Sequence, residues 1–308
     1  MRVVLSDWDG VWFSSELAKA LRWYLVAMHL KGDNEISKDL FERIVQKDFQ
    51  TRQWLENFIK DERRAKEIEE TMKFAGGTRI QFAQRVYHHF VDPQASEEEV
   101  KQEMLPLGEE IKDVLIEWFS KPLFENLKFF RELVFKFQLT YWGYQSVGLG
   151  LVTQTKSQAL YQQLFKMKDS QGKSIWGEFE KFLTMVFWPY HEEKGFLNVE
   201  CAGDYEERFP GAMPYLKGKE KVRAYLMLCQ KMDVRPEETI TFEDTTDGVF
   251  AAKSAGISCI GIQAFGNQQD LSQADLIIKG TLEPLIRFVD LFIFANPEEL
   301  ISILRTGL

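Results

Sequence analysis

The chain opens on a single buried-strand pattern, Val3-Val4-Leu5, that runs directly into Asp7-Trp8-Asp9-Gly10, and no second convincing strand follows until after Pro122. A strand needs partners, so this one must join a sheet whose other members lie beyond a long helical block. Side chains alternate along a strand, which sends Asp7 and Asp9 the same way. The reactive crevice of an open α/β sheet lies beyond the carboxyl ends of its strands, where these two acids fall. Gly10 then permits a sharp turn. An Asp-x-Asp pair also opens calcium loops, but the glycine and glutamate spacing of an EF-hand does not follow.

With 308 residues the chain has room for one large or two moderate domains. Its 38 basic and 47 acidic residues leave a net charge of −9 without a long lysine or arginine cluster, which argues against a nucleic-acid or anionic membrane surface. There is no signal-peptide pattern and no run of about 18 apolar residues, so a cytoplasmic protein without a membrane span is expected. Cys201, Cys229 and Cys259 are far apart, form no Cys-x-x-Cys pair, and read as buried reduced thiols. The scattered histidines, His29, His88, His89 and His191, carry little weight as a metal site or a catalytic base.

From Ser15 to about Lys121 the apolar period is helical, with stripes such as Leu17, Leu21, Tyr24 and Met28. Ser96 with Glu99 offers a capping box. After Pro122 strands and helices alternate. Phe124–Phe135 reads as a helix and Ser146–Val152 as a strand ending at Thr153. Strands are also expected at Phe196–Cys201, Thr239–Phe242, Ile257–Ile262 and Ala274–Ile278, with helices at Val222–Met232 and Val249–Ala255. Repeated βα units imply a parallel, doubly wound sheet. The expected architecture is α/β: a discontinuous Rossmann-like core, 1–15 and 121–308, with an all-helical module at 16–120 inserted into it. Within 154–218 an irregular stretch, aromatic from Trp176 to Tyr190, suits a surface helix pair or an oligomer contact; the oligomeric state is left open.

Three strand ends deliver polar residues to one edge of this sheet: Asp7 and Asp9, then Thr153, then Glu243 and Asp244. Such a density of carboxylates needs a cation, and hard oxygen ligands select magnesium over zinc or copper. Lys219, at the start of the helix leading to the last strand, is the expected local positive charge, with Lys217 and Lys221 close by.

Asp7-Trp8-Asp9-Gly10-Val11, the strand ending in Thr153, Gly218-Lys219, and Glu243-Asp244-Thr245 with Gly248–Gly256 together resemble the four motifs of the haloacid dehalogenase-like superfamily. The branch resembled has a helical cap inserted after the first strand, as in β-phosphoglucomutase and phosphoglycolate phosphatase. The family's usual proline after the motif lysine is here Glu220. A phosphate monoester repels an attacking carboxylate, so Asp7 can act as nucleophile only where Mg2+ and Lys219 neutralise the phosphoryl oxygens. Attack gives an aspartyl-phosphate. Asp9 then protonates the leaving oxygen and later deprotonates the hydrolytic water, Thr153 donates to a phosphoryl oxygen, and Asp244 with Glu243 holds the metal. The resemblance further implies that the Asp9 backbone carbonyl binds the metal.

These readings predict a magnesium-dependent phosphatase acting on a small phosphorylated metabolite, with the cap closing over the site and setting specificity. The presence of Asp9 disfavours dehalogenation. A sugar phosphomutase would carry a histidine early in the cap, where this chain has Lys19; a phosphonate hydrolase would need a cap lysine, and Lys19, Lys31 and Lys38 leave that open. The remaining alternative is a binding or scaffold protein that kept the fold without turnover.

Overall fold

The computed structural model describes residues 3–74, 79–140, 148–169, 171–187, 199–209, 219–264 and 269–308. Among these the chain runs β1 (Val3–Ser6), β2 (Phe13–Ser14), α1 (Glu16–Lys31), α2 (Lys38–Val45), α3 (Phe49–Phe58), α4 (Glu62–Lys73), α5 (Arg79–Phe90), α6 (Glu97–Phe119), β3 (Lys121–Pro122) and α7 (Phe124–Thr140). It continues through β4 (Leu149–Thr153), α8 (Ser157–Phe165), α9 (Glu180–Phe187), β5 (Val199–Cys201), α10 (Tyr205–Arg208), α11 (Glu220–Lys231), β6 (Thr239–Glu243) and α12 (Thr246–Ser254). It ends with β7 (Ser258–Gln263), β8 (Leu276–Lys279), α13 (Leu291–Phe294) and α14 (Pro297–Gly307).

Six strands form one parallel sheet in the order β5-β4-β1-β6-β7-β8. Every residue of β1, β4 and β6 is buried, as a sheet covered on both faces requires. Alternation divides them between two layers. Val4, Ile240, Phe242 and Ile260 pack with Phe129, Phe130 and Leu133 of α7 on one face, while Val3, Leu5 and Cys259 pack with Tyr225 and Leu228 of α11 and Val249 of α12 on the other. This is a doubly wound α/β sheet. From β1 the order proceeds one way through β4 to β5 and the other way through β6, β7 and β8, so β1 stands at the topological switch point. The register sets Leu5 beside both Gly150 and Thr241, which brings the carboxyl ends of β4, β1 and β6 side by side.

The chain divides into two compact units, one of Met1–Phe13, Pro122–Phe265 and Asp270–Leu308, the other built on Ser14–Lys121. The short strands β2 and β3 pair where the chain leaves the first unit and returns to it. In the second unit α1 to α6 enclose their own core around Leu21, Trp23 and Tyr24 of α1 with Leu55, Val100, Met104 and Ile111. The Ser96–Glu99 capping box starts α6. Arg64, buried in this unit, donates to the Tyr24 hydroxyl at 2.9 Å and to Asp33 at 2.7 Å.

The expected strand at 146–152 is seen from Leu149, and that at 196–201 from Val199; the residues before each lie outside the described ones. The helix α14, held at its start by the Asn296 side chain, was not anticipated. Where it is described, the aromatic stretch from Trp176 packs inward rather than forming a surface helix pair. Trp176, Phe179 and Leu183 are buried in the cluster that holds Trp8, Trp12 and Phe13, because the insertion packs on the turn after β1; residues 188–190 lie outside the described ones. His29 and His88 bond backbone carbonyls, of Ile36 at 2.9 Å and of Ala95 at 2.8 Å, and all three cysteines are free and buried.

Candidate active site at the carboxyl ends of β1, β4 and β6

The backbone amide of Asp7 donates to the Phe242 carbonyl at 2.9 Å, carrying the β1–β6 ladder one residue past the strand. Asp7 is buried and Asp9 half-buried, while Trp8 between them is fully buried in the α7 layer, as alternation demands. The turn closes with Gly10 donating to the Phe13 carbonyl at 2.7 Å. Gly10 has φ +85°, and a Cβ there would lie 1.7 Å from Asp244 Oδ2. The turn and the second acidic strand end therefore touch through a glycine. A Cβ at Gly248 would likewise lie 1.9 Å from Glu243 Oε2, so two glycines form the walls around the acids.

Asp7, Glu243 and Asp244 are all buried and present carboxylate oxygens within 4.8 Å of one another. Lys221 reaches into this group, 3.1 Å from Asp7 Oδ1 and 2.9 Å from Glu243 Oε1. Tyr225, one turn further along α11, donates its hydroxyl to Glu243 and exchanges a 3.1 Å hydrogen bond with Thr241. Thr153 is buried at the end of β4, and its hydroxyl accepts from the Thr155 amide at 3.0 Å. A hydroxyl that accepts there retains its own proton to donate.

Burial raises the Asp7 carboxyl above its ordinary range, against the pull of Lys221. Burial likewise pushes Glu243 up to about 7, opposed by Lys221 and reinforced by Asp7. Burial alone would lower Lys221, but Asp7 and Glu243 outweigh it and hold the ammonium above its usual value. The lysine is thus charged while the acids around it are reluctant to be. Ionising all three buried acids against one ammonium would leave an excess of negative charge that a divalent cation would offset. An all-oxygen donor set is what magnesium takes, so the residues fit that ion.

The structure does not bring Lys219 to the cluster. It stands exposed at the N-cap of α11, and two residues of helix rotate a side chain by about 200°. Lys221 takes that place because Lys221, Ala224, Tyr225 and Leu228 form the buried stripe of the helix. That spacing was visible in the sequence and also points to Tyr225, which sequence reasoning missed. Lys217 lies outside the described residues.

No family model matches the chain. Aligned over 96% of this chain and 98% of the other, it superposes on the crystal structure of a haloacid dehalogenase-family hydrolase from Deinococcus radiodurans R1 with bound phosphate and sodium, with a TM-score of 0.56 at 14% identity. This is the haloacid dehalogenase-like fold. In sequence, the chain is 36% identical over 67 residues to validoxylamine A 7′-phosphate phosphatase of Streptomyces hygroscopicus subsp. limoneus, covering 22% of this chain and 32% of that protein. It is 31% identical over 88 residues to a phosphorylated carbohydrates phosphatase of Thermotoga maritima, covering 29% of this chain and 35% of the relative. The chain thus spans about a third of the length of the curated relatives it matches. Within the haloacid dehalogenase-like fold, the acids at the carboxyl ends of β1 and β6 and the hydroxyl at the end of β4 stand on three adjacent strands of the sheet.

Proposed function

We propose that the protein is a magnesium-dependent phosphatase that hydrolyses a small phosphate monoester through an aspartyl-phosphate at Asp7. One observation supports this above the rest: Lys221 lies between Asp7 and Glu243 in a buried site where Asp244 completes a three-carboxylate group. Asp7, Glu243 and Asp244, with the Asp9 carbonyl, would hold Mg2+, which when bound supplies positive charge to the phosphoryl oxygens. The Lys221 ammonium orients and neutralises those oxygens, so that the Asp7 carboxylate can approach phosphorus. Thr153 donates its hydroxyl to one of them. Asp9, less buried than Asp7 and two residues further along the turn, gives its proton to the leaving oxygen; as carboxylate it then takes one from the water that hydrolyses the acyl phosphate.

The two curated relatives are named for phosphatase activity on a phosphorylated carbohydrate and on validoxylamine A 7′-phosphate, which favours a polyhydroxylated alcohol as the leaving group here. Phosphonate hydrolysis is less well supported. A Schiff-base lysine needs a desolvated amine, whereas Lys31 and Lys38 are exposed and Lys19 pairs with Glu16 at 3.1 Å on a part-exposed face. The test is release of phosphate from a panel of sugar phosphates, nucleotides, phosphoglycolate and an aryl phosphate, with and without Mg2+. Metal-dependent turnover on at least one ester is expected; a folded protein inert on all of them would favour the scaffold reading.

A further inference from the structure

The insertion between β4 and β5 has no part in the chemistry above, yet its Trp176 and Phe182 are buried against the turn that carries both aspartates. Trp8, the residue between them, donates its indole N–H to Gln163 Oε1 of α8 at 2.7 Å. The backbone carbonyl of the same Gln163 accepts the Trp176 indole N–H at 2.9 Å. The Trp8 and Trp176 rings lie 5.5 Å apart, tilted by 52°, and Trp176 also meets Phe13 at 5.8 Å. Trp8 stacks in addition on Phe13 at 5.8 Å and on Trp12 at 6.3 Å. Gln163 therefore ties two tryptophans together, one inside the Asp-x-Asp turn and one inside the insertion.

The far side of the turn is pinned in the same way. Trp12 donates to Ser6 Oγ at 2.9 Å, and Ser6 Oγ donates to the Asp7 carbonyl at 2.8 Å. Trp12 stacks on Phe130 of α7 at 4.3 Å and lies parallel to Phe182 of α9 at 6.3 Å. The amides of Trp12 and Phe13 donate back to the Trp8 carbonyl at 2.9 and 3.3 Å. Trp8 and Trp12 are thus the joints through which side-chain contacts of the insertion reach the backbone of the turn, and of the two Trp8 is the one that hydrogen-bonds to the insertion.

Resting on the phosphatase reading, we propose that the α8–Trp176–α9 insertion is a positioning clamp for the catalytic turn. Gln163 is its central positioning residue, and its acceptor oxygen holds Trp8 so that the Asp7 and Asp9 carboxylates keep their attack geometry. Rigid packing alone would tolerate an isosteric apolar replacement; a clamp needs the acceptor.

The experiment compares Gln163→Met, close in volume but without that acceptor, with Gln163→Glu, which keeps it. Two readouts are taken: Mg2+-dependent turnover of para-nitrophenyl phosphate resolved into kcat and KM, and amide hydrogen exchange of the peptide spanning residues 3–13, with Tm as a check on global folding. Gln163→Met should lower kcat about tenfold with KM within about twofold, and speed exchange at 7–13 about tenfold at near-unchanged Tm; Gln163→Glu should restore both to within about threefold. Unchanged exchange at 7–13 in a folded Gln163→Met protein overturns the clamp, whatever its activity. So does wild-type kcat in that variant, or failure of Gln163→Glu to rescue. A wild-type protein without turnover instead defeats the phosphatase reading, and the exchange data still judge the clamp.

Discussion

Gly10→Ala separates steric loss at the site from backbone strain. At φ +85° an alanine costs about 1–2 kcal/mol in backbone conformation alone. Its Cβ would also fall 1.7 Å from Asp244 Oδ2 and 2.1 Å from Asp244 Cγ, so the whole carboxylate must retreat by roughly 1 Å or more. A retreat of that size moves one of the three carboxylates proposed to hold the ion, and misplacements of about 1 Å lower rates by about a hundredfold. Gly32→Ala is the matched control. Gly32 has φ +86° at the end of α1, with nothing within 4 Å of the added Cβ, so it carries the strain without the clash. Gly32→Ala should lose about 1–2 kcal/mol in chemical denaturation, and Gly10→Ala more than that because of the added clash. In Mg2+-dependent hydrolysis of para-nitrophenyl phosphate, Gly10→Ala should lose about a hundredfold in kcat/KM and bind Mg2+ more weakly by calorimetry, while Gly32→Ala stays within about twofold. Equal activity in the two would refute the reasoning.

Lys221→Met should lower kcat/KM by about a hundredfold or more, since it removes the ammonium between Asp7 and Glu243, and Lys219→Met should stay within about twofold; steady-state kinetics of the pair decide between the two lysines. In the metal-free protein Glu243 titrates at about 7 against about 4.3 when unfolded, so the native state holds a proton that the unfolded chain releases, and stability falls as pH rises through that window. Mg2+ replaces this proton. The Tm gain on adding Mg2+ should therefore be small near pH 5 and larger near pH 8, and a pH-independent gain would contradict the assignment. Glu200 behaves in the opposite sense: although burial raises it, Lys231 and Arg208 outweigh burial and hold its carboxyl below the usual range. That stability is present above about pH 4.3 and lost as pH falls through the depressed value, so Glu200→Gln should remove about 1–3 kcal/mol at neutral pH in denaturant melts and flatten the acid limb.

What the sequence made legible was local. The run Val3–Leu5 into Asp7 and the run Thr239–Phe242 into Glu243-Asp244 each place an acid at a strand end without reference to any distant residue, and both strands are where the pattern puts them. The capping box at Ser96 was visible for the same reason. The lysine was less legible. Adjacency to a glycine drew attention to Lys219, while the choice is made by which face of α11 meets the sheet, a property of the stripe through Lys221, Tyr225 and Leu228. The Trp176 stretch was opaque because an aromatic run on a short helix suits a core, a surface pair or a contact equally. Only the packing on Trp8 and Phe13, more than a hundred residues away in sequence, separates these.

The central claim is that the Asp7 carboxylate itself attacks phosphorus. It is tested most directly by mixing the enzyme with Mg2+ and a hydrolysable ester, quenching within one turnover, reducing with borohydride and mapping the peptide that spans the β1 turn. Reduction of an aspartyl-phosphate leaves homoserine in place of aspartate, and the account predicts homoserine at position 7, absent without Mg2+ and absent in Asp7→Asn. An enzyme that turns over briskly yet yields unmodified Asp7 throughout would contradict it.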